Sequence, residues 1–196
     1  MDKQALLHES PKVFAALARF LNPAELRLLS EDYQTAKDLG GDVECGLTRE
    51  EGVSYNPRLA RVLLIMARDL GCTDIEMYRV ALYAAVFDTG LGVANSAAPS
   101  DFSIIPDEIR ELVANVQGVQ EGDTRSGSIS GVIALDAVRH LHLTRWEATQ
   151  RESILVALED NLMSKLRSSA PEILVRKLQV AINLQRRRLV ADRARA

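Results

Sequence analysis

The chain has 196 residues, 47% of them hydrophobic, 26% charged and 5% aromatic, with a net charge of −3. This length buries a core without disulfide or metal staples, and this composition excludes a disordered polypeptide. The small negative balance excludes a global field that would draw the molecule to nucleic acid or to an acidic membrane, so any such partner must meet a local patch.

Helix-period spacing dominates, and no stretch alternates apolar and polar residues between hairpin turns, so the sequence predicts an all-α fold, a single compact multi-helix domain. Ser10-Pro11 opens the first helix, with Val13, Leu17, Phe20 and Leu21 on one face until Asn22-Pro23 stops it. A second helix fits Pro23 to Leu39, ended by Gly40-Gly41, and residues 41–55 are polar enough to be a connecting loop. Asn56-Pro57 caps a helix carrying Leu59, Val62, Leu63, Met66, Ala67 and Leu70, closed by Gly71; Thr73 caps the next, through Ile75, Val80, Leu82 and Val86. This last helix is apolar almost all round from Val80 to Phe87, which suits the buried centre of the domain.

Residues 90–103 are small and polar and read as a long loop, after which Pro106 opens a helix with Ile109, Leu112, Val113 and Val116. A second loop-like stretch, 118–131, precedes a helix from about Val132 to Leu143 and a long one from about Arg145 to Arg167. Within that stretch Gly127-Ser128-Ile129-Ser130-Gly131 is a near miss to a nucleophile elbow, but its middle residue is isoleucine and no strand precedes it, so a flexible linker and helix cap is expected. Pro171 begins a terminal helix bearing Ile173, Leu174, Leu178, Ala181 and Ile182, expected to pack up to about Leu184 and to fray beyond it. Three parts follow: N-terminal helices over 1–55, a helical core over 56–185, and a basic C-terminal tail over 186–196.

Cys45 and Cys72 make neither a CxxC redox pair nor a zinc cluster. The first residues lack the basic start and cleavage site of a signal peptide, and no run approaches the roughly 20 apolar residues that span a bilayer. A cytoplasmic protein without a membrane partner is therefore expected. No Walker loop, dinucleotide fingerprint, HExxH or EF-hand pattern occurs, and no cofactor is expected.

Arg58, Arg61-Val62, Ala67 and Leu70-Gly71, followed by Ala84-Ala85-Val86-Phe87-Asp88-Thr89-Gly90, together resemble the start of the HD-domain superfamily of metal-dependent phosphohydrolases. In that family an H-x-x-R-V helix precedes A-A-L-L-H-D-I-G, and a later aspartate on an apolar helix completes the metal site. The resemblance covers roughly residues 56–165. It implies an HD-like helical bundle, with Asp160 in ILVALEDNL as the later aspartate, and with both histidines replaced, by Arg58 and Phe87. Phenylalanine offers a metal no donor atom and arginine brings a fixed positive charge, so the resemblance implies a degenerate site, no bound metal and no catalytic residue.

The vestigial or ligand-binding candidates are accordingly Arg58, Arg61, Asp88, His140, His142 and Asp160, with one carboxylate paired to Arg58 or Arg61. His140 and His142 point about 200° apart on a helix and cannot chelate one ion as an i, i+4 pair would. Arg186, Arg187 and Arg188 form a candidate anion patch, but no aromatic residues interleave it to stack bases, so nucleic acid is not the expected partner. The sequence thus predicts a non-catalytic HD-like module in the bacterial style of signalling, regulatory or protein-binding, with a protein partner or a homodimer through an apolar helix face. The alternative is a divergent phosphohydrolase acting on a nucleotide or phosphorylated signal through Asp88, Asp160 and His140 or His142. A third reading has the arginine-rich tail docking nucleic acid or an acidic protein.

Overall fold

A computed structural model describes residues 10–40, 56–87, 102–116, 118–141 and 147–195, and every regular element among them is helical. In chain order these are α1 (Ser10–Leu17), α2 (Pro23–Gly40), α3 (Asn56–Leu70), α4 (Ile75–Val86), a 3-10 turn (Phe102–Ile104), α5 (Asp107–Asn115), α6 (Thr124–His140), α7 (Ala148–Ala157), a π turn (Leu158–Leu162), α8 (Met163–Ser169) and α9 (Glu172–Arg193). The π turn joins α7 and α8 into one rod, so eight rods pack as a single all-α domain among the described residues. None of the helices described is long and apolar enough to cross a membrane.

Side-chain chemistry sets the helix ends. Asn22 Oδ1 accepts from the amides of Ala24 and Glu25 at 2.9 and 3.0 Å, while Glu25 reaches back to the Asn22 amide at 2.8 Å, a capping box with Pro23 in the first helical position. Gly71 takes φ 61°, and the Cys72 amide bonds back to Met66 O at 3.1 Å, closing α3 at the predicted glycine. The cap of α4 is Asp74, not Thr73: its carboxylate accepts from the Glu76 amide at 3.0 Å.

Two helices form the centre. Against α4 pack α2, α3, α5 and α6, and every residue from Tyr78 to Val86 is buried, as the unbroken apolar run demands. Against α6 pack α3, α4, α8 and α9, and every residue from Ser126 to Val138 is buried. Here the sequence expectation fails. The glycines and serines of 127–131 lie inside α6, which starts at Thr124 rather than Val132 and ends at His140. They are small because neighbours come close: a Cβ on Gly127 would stand 2.4 Å from Ser169 O, and one on Gly131 2.5 Å from Leu174 Cδ2. Asp123 caps this helix through the Ser126 amide at 3.1 Å, and the Ser126 hydroxyl and these backbone donors hold its carboxyl below the usual aspartate range.

The C-terminal helix also departs from expectation. Rather than fraying after Leu184, α9 runs to Arg193 and buries Gln185 and Leu189. Arg186 to Glu159, Arg193 to Glu152 and Asp192 to Arg151 stitch it antiparallel to the α7 rod. Ile173, expected on the packed stripe, is 46% exposed, while Leu174, Leu178, Ala181 and Ile182 face inward.

Candidate functional site

A carboxylate sits in the apolar centre. Asp136, with VIAL before it and AV after it in α6, is 0% exposed. Helix α3 turns Arg58 and Arg61, one turn apart and therefore on one face, toward it. Arg61 Nε donates to Asp136 Oδ1 at 2.8 Å, and Arg58 Nε stands 3.7 Å from Oδ2, close enough to pair charges but too far for a hydrogen bond. Asp136 Oδ2 therefore accepts no hydrogen bond. Arg58 is 3% exposed, whereas the Arg61 side chain keeps 31% of its surface in water. Desolvating such ions costs several kcal/mol each in general, and the attraction between them offsets this only when hydrogen bonding is complete. Here one oxygen is left over, which singles out this cluster as the candidate site.

The structure thus brings Arg58 and Arg61 together and gives them a carboxylate that sequence reasoning missed. A signal was available: an aspartate inside an unbroken apolar helical run must find a cation or a donor. Phe87, the C-cap of α4, is buried in the core, as its hydrocarbon ring predicts. His140 is half-buried at the end of α6. Asp160 lies exposed on the π turn, so it stands apart from the Asp136 centre; Leu158 and Met163 take the inward positions of that rod. Asp88 and His142 lie outside the described residues. Among the described residues no three His, Cys, Asp or Glu side chains gather as a metal site would require.

A second buried cluster, also missed, joins α2, α4 and α5. Asp32 accepts from Arg79 Nε at 2.5 Å through one oxygen and from Tyr83 Oη at 2.8 Å through the other, and Arg79 Nη2 continues to Glu108 Oε1 at 3.0 Å. Burial alone would lower the Arg79 pKa, but its bonds to Asp32 and Glu108 outweigh this and hold it above its ordinary value. Burial first, then the bond to Asp32, pushes the Tyr83 phenol up. Glu108 is held below its usual range by its own backbone amide and then by Arg79. A third carboxylate, Asp69, receives Lys177 Nζ at 2.5 Å and Arg139 Nη1 at 3.2 Å and ties α3 to α6 and α9.

Of the predicted anion patch, Arg186 is committed to Glu159, Arg187 is exposed without a carboxylate partner among the described residues, and Arg188 is half-buried. Cys72 is half-buried with its thiol pushed up by burial, which makes it a poor nucleophile. No protein-family model, curated protein or solved structure matches the chain. What the residues and their packing establish is a compact all-helical domain with a paired carboxylate at its heart.

Proposed function

We propose that this chain is a non-catalytic, HD-like helical module that regulates or binds another protein in signalling. One observation carries the reading: Arg58, at the position where the family resemblance implies a metal-binding histidine, is buried and directed with Arg61 at Asp136. Arginine does not give up its proton in proteins, so a divalent cation entering there would meet two fixed positive charges beside the carboxylate it needs. Phe87 supports the same reading, because its ring carries no donor atom and is packed in the core. The residues present do not fit a metal.

The alternative, a divergent metal-dependent phosphohydrolase, draws on the one oxygen of Asp136 that accepts no hydrogen bond. Its proposed ligand Asp160 gives it no support, being exposed on the π turn. The deciding experiment measures metal content in the purified protein and hydrolysis of a generic phosphomonoester and phosphodiester with added manganese. The proposal expects neither stoichiometric metal nor turnover. Bound metal with activity that disappears in Asp88→Ala overturns it.

A further inference from the structure

We draw no further inference here: the strongest candidate, the exposed apolar stripe of Ile173, Val180 and Leu184 on α9, carries nothing, because Arg176 and Arg186 of the same helix are engaged by Glu172 and Glu159 of this chain and nothing in the structure shows what covers the stripe.

Discussion

The two buried charge clusters differ in how completely they are satisfied. Asp32 gives one oxygen to Arg79 and the other to Tyr83, and Arg79 goes on to Glu108, so both carboxylate oxygens have donors. Asp136 is more deeply buried yet leaves Oδ2 without a hydrogen bond, and one of its two arginines is partly in water. A completed network rigidifies its surroundings and specifies one arrangement of the helices, whereas a partly completed one is held at an energetic cost. The difference teaches that the α2–α4–α5 cluster is architecture, and that the α3–α6 cluster is where the fold departs from its own rule.

The sharpest way to break this comparison is Asp32→Ala. Removing a carboxylate that serves two buried donors leaves the Arg79 guanidinium with only the exposed Glu108, and we expect a loss of about 3–5 kcal/mol in urea unfolding. A loss below about 1 kcal/mol removes the architectural role. Asp136→Asn is expected to cost less, about 1–3 kcal/mol, because the amide keeps an acceptor for Arg61, one oxygen already lacks a hydrogen bond and Arg61 can turn to water. If Asp136→Asn costs more than Asp32→Ala by the same measurement, the ranking is wrong.

The close helix contacts provide an uncharged counterpart. Gly127→Ala drives a Cβ into the Ser169 backbone, which cannot yield cheaply, and should destabilise by about 1–3 kcal/mol. Gly131→Ala meets Leu174 Cδ2 and Cγ, a side chain that can shift where backbone cannot, and the gain in helix propensity, about 1 kcal/mol, should offset part of the clash. Thermal unfolding of the two variants checks the order.

The smallest expected effect is at the cap of α6. Asp123→Ala should cost about 0.5–1 kcal/mol at neutral pH, at the low end for a cap because the carboxylate is largely in water. Since folding depresses this pKa from 3.8, the contribution is present above that value and is lost as pH falls through the lower folded value. Wild type and variant should therefore converge in stability on acidification. A gap that persists at low pH points to another cause.

The sequence made some of this legible and concealed the rest for identifiable reasons. Helix α4 could be read because Val80 to Val86 is apolar on all sides and Gly71 stands before it to close α3. Helix α6 was hidden because glycine and serine have two meanings, chain flexibility in a loop and close approach between helices, and only the Ser169 and Leu174 contacts decide between them. Asp136 was announced by its apolar setting, but Asp32 was not: in Ser30-Glu31-Asp32-Tyr33 nothing local distinguishes the buried acid from its exposed neighbour Glu31. Asp160 is exposed on the π turn, and plain helical spacing from the buried Leu155 and Leu158 already turns it outward. The tail misleads because charge alone does not reveal the carboxylates Glu159 and Glu152 that hold Arg186 and Arg193.

That π turn has a consequence for engineering the chain. Its wider loops let the rod absorb one extra residue, so Leu158 and Met163 both face inward although they stand five positions apart. Deleting one residue from 159–161 would set Met163 four positions after Leu158, the ordinary helical spacing, so a uniform coil would keep Met163 and Leu166 on the core. The spare residue acts as slack between two halves of a single rod, so one deletion there should be absorbed, whereas a deletion elsewhere in the rod would turn the downstream side chains by about 100° off the core.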